Sequence, residues 1–527
     1  MSASRERRSR SADPTVEQKR KFLQNQQEEE KRKSALVTVL VVLGIVVAFG
    51  LTFWNQGIYQ RSATAVTIGG TDYTAGQLQL FYQDQLYSAL SGTIPAAEDG
   101  FPYDYATSPD EVIYSFTTGE TWHDIFVQNS ISSLEEIHAL YTAAQNAGYV
   151  LSAEGEQTYS DTVASLNIAW IGYTNSLDSY LRMQYSPYLT EDAFLDILRK
   201  EIVASYFVQD QYDSLTHTEA EFDTHYAENP DSFDLITTSQ FTFSVSVDTT
   251  KEENGEVVDI DPEVIAATLQ AETDILFETL NAVEEEISQE DVDLDAVAEE
   301  YGDDVSNIAL RTPVLSSGYE SNSLFGEWAL SPDRVEGDIF LAPSVSESSA
   351  TYYLLYFHER KQADLPTSTI RHIYLGASDT IPTEEEFAAT LVEAEAMLEQ
   401  WKADGSSEDQ FAALATEHSV DSGSAANGGM IEGISEISGY VDTFSEWALD
   451  PDRKPGDTGI VQNTGSSTQG YHIMYFVDWG DPLWKFNAST SLSNEKIEIW
   501  QEESTAAVDV TSITGPAISY ITPATLY

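Results

Sequence analysis

The chain has no cysteine in its 527 residues. That absence excludes a disulfide scaffold, thiol catalysis, thiolate zinc sites and anchoring through a lipid-modified cysteine. Cations are also scarce, with 25 Lys and Arg against 88 Asp and Glu and a formal net charge of −63. Broad nucleic-acid binding needs phosphate-neutralising side chains, so this imbalance excludes it. There is no Gly-x-Ser-x-Gly elbow and no His-Glu-x-x-His, which disfavours a hydrolase. His123, His138, His217 and His225 show no paired metal-ligand spacing and read as structural or surface residues. What the chain does have is apolar substance. It is 42% hydrophobic and 11% aromatic, too much for a disordered acidic polymer. Its length allows about three domains at roughly 100–200 residues each.

The charge is unevenly spread. Residues 1–34 hold ten Lys/Arg and six Asp/Glu, leaving 15 and 82 for the remainder, a net of −67. Between the two lies Ala35–Trp54, twenty residues without a charge. At about 1.5 Å per residue this stretch spans the roughly 30 Å hydrocarbon layer. Lys31, Arg32 and Lys33 flank one end and Trp54 closes the other, so the N-terminus is expected in the cytoplasm and residues 55–527 outside it. The apolar run is longer than the core of a signal peptide, about 7–15 residues, and Ala63-Thr64-Ala65 lies far from it. The expectation is a basic cytoplasmic tail (1–34), an uncleaved transmembrane helix (35–54) and a linker (55–66) in the cell membrane.

Residues 67–236 read as mostly helical. Thr74 is placed to cap one helix, Trp122–Tyr141 repeats apolar residues at helical spacing until Gly148, and Thr190 opens another run. Beyond about 233, short β-like runs (Gln240–Val247, Tyr352–Phe357, Ile370–Leu375, Tyr471–Val477) alternate with helical stretches, an α+β pattern. Thr383 with Glu386 forms a capping box for a helix over 384–403, and Ser407 with Gln410 starts the next. An internal repeat is also present. FGEWALSPDRVEGD (Phe325–Asp338) matches FSEWALDPDRKPGD (Phe444–Asp457) at an offset of 119, and the register holds to YYLLYF against YHIMYF. The chain therefore carries two copies of one domain, over 237–362 and 367–481, followed by a C-terminal segment 482–527. In that segment Ile497, Ile499 and Trp500 suggest one short helix or strand, and the segment is a candidate to pack back on the helical module.

The second copy resembles the parvulin family of peptidyl-prolyl isomerases. The resemblance rests on Arg371-His372-Ile373, Phe411–Ala415, the Ser424–Gly429 loop, Phe444–Leu449, Pro455-Gly456-Asp457 and Gly470-Tyr471-His472-Ile473, in that order. The wider layout is similar to SurA/PrsA-type foldases, in which a helical chaperone module carries parvulin domains. The resemblance implies two small antiparallel sheets flanked by helices. It implies a site in which His372 and His472 orient a hydrogen-bond network near Asp421 or Ser422. It also implies an apolar proline pocket from Ile431, Tyr440 and Phe444, where Tyr440 replaces the usual methionine. Gln469 stands where a hydroxyl residue is common.

The first copy keeps the packing residues, Trp328 standing for Trp447, but has Tyr353 at the place of His472 and Gln240-Phe241-Thr242 near that of His372. Its Ser-Ala…Gly-Gly loop is replaced by Ser306–Ser317. It reads as a degenerate, non-catalytic copy. The expected activity is isomerisation of X-Pro bonds in unfolded or newly exported polypeptides, without metal or cofactor. The alternative is a holdase of the same fold without isomerase activity. A surface adhesin is disfavoured, because such proteins usually carry repeated β-sandwich modules and an anchor near the C-terminus.

Overall fold

The computed structural model describes residues 57–521, except 105, 172, 254–255, 378–381, 466–468 and 514. The basic tail and the apolar run 35–54 lie outside the described residues. Among the described residues, no helix is long and apolar enough to cross a membrane. The chain divides into two compact units, residues 1–215 with 495–527, and residues 216–494.

The first unit is mainly helical. Strands β1 (Thr64–Ile68) and β2 (Thr71–Thr74) form a hairpin whose turn, Gly69-Gly70, has both residues at positive φ. Thr74 ends the hairpin and caps helix Ala75–Leu90 in a capping box with Gln77. Helices Trp122–Asn146, Ala153–Ala169, Leu177–Gln184 and Glu191–Asp213 follow, each opened by a Thr or Ser whose side chain accepts from the first turn. Leu78, Tyr82, Leu86, Trp122, Phe126 and Leu134 form the centre of its core. His138 Nδ1 meets the Tyr73 hydroxyl, and His123 Nδ1 the Tyr82 hydroxyl, each at 2.8 Å. Burial lowers the affinity of both rings for a proton, so these histidines are core members joined to tyrosines.

The second unit holds two four-stranded antiparallel sheets. The first sheet contains β3 (Asp234–Ser246), β6 (Asn307–Leu315), β7 (Ile339–Val345) and β8 (Ser349–Gln362), in the order β6-β3-β8-β7. A separate hairpin, β4 (Thr250–Glu253) and β5 (Glu256–Asp259), projects from it in sequence. The second sheet contains β9 (Ser368–Gly376), β10 (Met430–Ile434), β11 (Thr458–Asn463) and β12 (Gly470–Trp479), in the order β10-β9-β12-β11. The two orders are the same when strands are matched by the sequence repeat.

Each sheet buries one face under helices and the other under a short helix carrying the repeated tryptophan. In the second copy, helices Glu384–Ala403 and Glu408–His418 cover Ile373, Leu375, Ile473 and Tyr475, with Trp401 and Phe411 in the interface. The helix Asp442–Ala448 brings Phe444 and Trp447 against Ile370, Met474 and Phe476 on the opposite face. The period-two alternation of a strand decides the rest. Residues 370, 372 and 374 of β9 share the Phe444 side, while Arg371 lies on the helical side, paired with Glu408 at 3.0 Å. In the first copy, helices Pro262–Ile287 and Leu294–Tyr301 play the covering part.

Three expectations need correction. Glu219–Phe233 does not belong to the helical module: Phe222 and Phe233 pack with Leu235, Ala363, Leu483, Trp484 and Leu492 in the second unit. His217 and His225 there meet the hydroxyls of Ser493 and Ser491. Ser306–Ser317 is not a loop substitute but mostly strand β6, reached by a five-residue link after Tyr301. The residues around Trp500 are not a short element. They end a 24-residue helix, Leu483–Ala506, whose first half is in the second unit and whose last half is in the first. The chain then forms strand β13 (Val510–Ile513), which pairs antiparallel with β1.

Candidate active site

The site grows from the register of two central strands. β12 pairs antiparallel with β9, placing His472 opposite Tyr374 and Met474 opposite His372. The two histidines are thus diagonal neighbours on one face, within reach of each other. Their Nδ1 atoms are 2.9 Å apart and the rings stack with centroids at 5.1 Å. Both are buried, at 3% and 8% exposure.

The loop after helix Glu408–His418 supplies the polar end of the network. Asp421 turns the chain: its Oδ1 accepts from Gly423 N–H at 3.2 Å, and Ala425 N–H returns to its carbonyl. The turn brings Ser424 back beside the carboxylate. His372 Nε2 lies 2.8 Å from both Asp421 Oδ2 and Ser424 Oγ, and the Ser424 hydroxyl donates to Asp421 Oδ2 at 2.5 Å. The loop closes through Gly428 and Gly429, both at positive φ. A Cβ on Gly429 would come within 2.1 Å of the His372 carbonyl oxygen, so only glycine lets the loop run against β9 there.

The charge states follow from these surroundings. Burial would raise the Asp421 carboxyl, but hydrogen bonds from Ser424, His372 and Gly423 outweigh it and hold the group below its ordinary value. Asp421 is therefore ionised and accepts only. Burial lowers His372 against the opposing pull of Asp421, and lowers His472 to about 3, helped by the neighbouring ring. Both imidazoles are neutral at neutral pH. A neutral His372 that donates from Nε2 has a bare Nδ1, which must accept from His472 Nδ1–H. His472 Nε2 is then a bare acceptor. One carboxylate thus sets the tautomer of both rings.

An open cleft of about 710 Å³ lies over this network. Its apolar wall is Met430, Ile431, Val441, Phe444 and Tyr440, and its polar wall includes Asp421, Ser422, Ser424 and Asn463. Phe444 stands edge-on to both histidines, with centroids at 5.7 and 5.1 Å, and Tyr440 stacks on Phe444 at 4.7 Å. Tyr374 stacks on the other side of His472 at 4.6 Å. A cavity of similar size, about 720 Å³, in the first unit is lined by carboxylates, amides and hydroxyls such as Glu135, Glu498 and Gln501, and contains no histidine.

The structure thus brings together His372, His472, Asp421, Ile431, Tyr440 and Phe444. Ser422 lines the cleft, but the serine hydroxyl in the network is that of Ser424, one turn further on. Gln469 is not part of the lining; its carbonyl accepts from Ala377 N–H at the strand end. Sequence reasoning passed over Ser424 and also Tyr374. The Asp-Ser-Gly-Ser string is the signal for the first, since an Asx turn returns the fourth residue to the carboxylate.

The first copy has the same strand register without the network. Tyr353 opposes Thr242, and Leu355 opposes Gln240, so Gln240 stands at the position of His372 and Thr242 at that of Tyr374. Gln240 donates to Thr242 Oγ1 at 3.0 Å, and Phe325 lies 6.1 Å from the Tyr353 ring.

A family model described as a rotamase, PPIC-type PPIASE domain, matches residues 372–478. No curated protein matches the chain. Among solved structures, the peptidylprolyl isomerase PrsA from Bacillus anthracis shares 19% identity over 28% of this chain and 59% of its own, with a TM-score of 0.17. The chain thus spans little more than half the length of that relative. PrsA from Bacillus subtilis shares 12% identity over 76% and 91%, with a TM-score of 0.27. The SurA-like chaperones PEB4 and Cj1289 of Campylobacter jejuni give 14% over 68% and 93%, with a TM-score of 0.16. Likenesses at such scores carry no weight; the family match does, and it covers both histidines, Asp421 and the cleft. The second copy is a parvulin-type peptidyl-prolyl isomerase domain.

Proposed function

We propose that the chain is a membrane-anchored extracytoplasmic foldase that holds unfolded exported polypeptides and isomerises their X-Pro bonds at the His372–His472 cleft. The observation that carries this reading is the tautomer-locked network of His372, His472, Asp421 and Ser424 beneath an open apolar cleft.

The chemistry asks little of a protein. Resonance stiffens the peptide C–N bond and sets a rotation barrier of about 18–20 kcal/mol. For X-Pro the two planar forms differ by only about 1 kcal/mol, yet exchange takes tens of seconds or longer. No bond is broken, so no nucleophile, metal or cofactor is required by the reaction. The catalyst need only bind the twisted amide better than either planar form. Ile431, Phe444 and Tyr440 would grip the proline ring and strip water from the amide, weakening its resonance. The ordered histidines and the Ser424 hydroxyl would present fixed dipoles to the twisted amide at no cost in reorganisation. Asp421 acts through His372, fixing which ring nitrogen carries the proton.

The anchor rests on the twenty uncharged residues 35–54 and the basic flank before them. The location of the body outside the cytoplasm follows from that orientation, and protease added to intact spheroplasts checks it by digesting the body and sparing the tail. The decisive test of the activity is exchange spectroscopy on a proline peptide. The full-length chain should accelerate cis/trans exchange, and His372→Ala or His472→Ala should reduce it. Unchanged exchange in the presence of the wild-type chain would sink the enzyme reading. The holdase alternative is favoured by one observation, the first copy with its sheet intact and Gln240 and Tyr353 in the histidine positions. It predicts that a His372/His472 double variant suppresses client aggregation as well as wild type.

A further inference from the structure

The ionisable groups around the cleft are one-sided. Among the described residues lining it, Asp421 is the only ionised side chain and no Lys or Arg appears. The surrounding domain, 367–481, holds four Lys and Arg against 21 Asp and Glu. Three of the four are engaged elsewhere, and the fourth, the exposed Lys454, does not line the cleft. Arg371 is held by Glu408 and the carbonyls of Asn427 and Gly428, Lys402 by Glu399, and Arg453 by Asp450 and the Trp447 ring.

Two groups in the cleft have capacity to spare. A carboxylate offers about four lone-pair positions. Asp421 uses two on Oδ2, for His372 and Ser424, and one on Oδ1, for Gly423, and its side chain is still 34% exposed. Tyr440 stacks on Phe444 and is 39% exposed, so part of its side chain is accessible to a ligand in the cleft. The two groups lie within each other's field, since Asp421 adds to burial in raising the Tyr440 phenol. A carboxylate and an electron-rich ring on one cleft attract an ammonium or guanidinium and repel a carboxylate.

We infer that this cleft selects X-Pro sites with a cationic residue adjacent to the proline, with Asp421 and Tyr440 as the specificity-determining groups. The inference rests on the isomerase reading of the same site and adds the substrate class. Acidic neighbours of proline are disfavoured twice, by the local pair and by the field of the domain. The acidity of the external body thereby becomes a filter for basic segments of client chains.

The test uses the full-length chain and three peptides differing only around the proline: Lys-Pro-Lys, Ala-Pro-Ala and Glu-Pro-Glu. Exchange rates are read at low salt and at about 1 M NaCl, where the screening length falls to about 3 Å. The expected order of kcat/KM is Lys above Ala above Glu, with roughly tenfold between the extremes, equivalent to about 1.4 kcal/mol. High salt should compress the ratio. Tyr440→Leu, at a partly exposed position, should lower the Lys-to-Glu ratio relative to wild type, with far-UV circular dichroism confirming the fold. A ratio of one or below in the wild-type chain overturns the preference while leaving the isomerase reading intact. Lack of acceleration on all three peptides overturns the isomerase reading and this one with it. A ratio that holds in high salt and in Tyr440→Leu removes both groups from their assigned role.

Discussion

The two sheets of the second unit are one architecture used with two contents. Strand order is the same, and so is the short helix that delivers a tryptophan to the sheet face. An arginine follows each tryptophan and lies over its ring, Arg334 over Trp328 at 5.7 Å and Arg453 over Trp447 at 4.4 Å. The shared apolar residues, Phe325 with Phe444 and Trp328 with Trp447 among them, pack against their sheets. The differences collect on the face between the short helix and β9 or β3, where four polar groups in one copy become Gln240, Tyr353 and a shortened link in the other. The polar groups of the site can thus be lost without loss of the fold, while Phe444 serves both, packing in the core and walling the cleft.

The largest expected effect tests that separation at the shared residue. Trp447→Ala and Trp328→Ala each remove a large aromatic from a sheet face, and each should cost about 3–5 kcal/mol in urea unfolding. Trp328 also stacks on Phe340 at 5.3 Å, so its loss strands a second ring. A cost below about 0.5 kcal/mol in either copy, within the range of an ordinary surface change, would show that the repeat does not reflect shared packing.

The next effect concerns activity. His472→Tyr makes the second copy resemble the first, and removes the Nδ1–H donor to His372. The acceleration of proline exchange should fall roughly a hundredfold, about 2.7 kcal/mol. The reverse graft, Gln240→His with Tyr353→His, should create no activity in a chain carrying His472→Tyr, because the first copy has a five-residue link where Asp421 and Ser424 stand. Measurable exchange in the graft would mean that the two rings suffice without a carboxylate to set their tautomer.

Much of this was legible before any coordinates. Capping boxes act locally, so Thr383 and Glu386 mark the helix 384–403 with its observed bounds, and Thr74 and Thr190 mark the starts of two others, Thr190 by its side chain alone. The repeat register placed Tyr353 opposite the role of His472 without a structure. The failures have a different physical source. The helix Leu483–Ala506 serves two units, burying Leu483, Trp484, Ala488 and Leu492 in one and setting Trp500 on Phe207 in the other. It has no single apolar stripe, and periodicity alone could not see it. Ser424 is hidden for the opposite reason: it is near Asp421 in sequence, but only the turn folds its hydroxyl back onto the carboxylate. Gln469 rests on family position alone, and it does not line the cleft.

The smallest effect uses pH to separate the copies once more. In the unfolded chain His472 takes up a proton near pH 6.5, but in the folded protein only near pH 3. Between these values the unfolded state binds more protons, so stability rises with pH and falls as the pH drops from about 6.5 toward 3. From pH 7 to pH 5 this one group should weaken the second copy by up to about 2 kcal/mol, at about 1.4 kcal/mol for each unit below its ordinary value. His372, also lowered, acts in the same direction. Asp421 is depressed too, so its contribution is lost only at the acid end of the range, below the ordinary carboxylate value. His472→Tyr replaces a group that titrates in this window with one that ordinarily titrates near 10. Subtracting the variant's urea midpoints from the wild-type values at pH 7 and pH 5 cancels the background of carboxylates shared by both chains. The difference should shrink as the pH falls, and a difference that stays constant would show that His472 takes up its proton at the same pH in the folded as in the unfolded chain and that the tautomer order set by Asp421 does not hold.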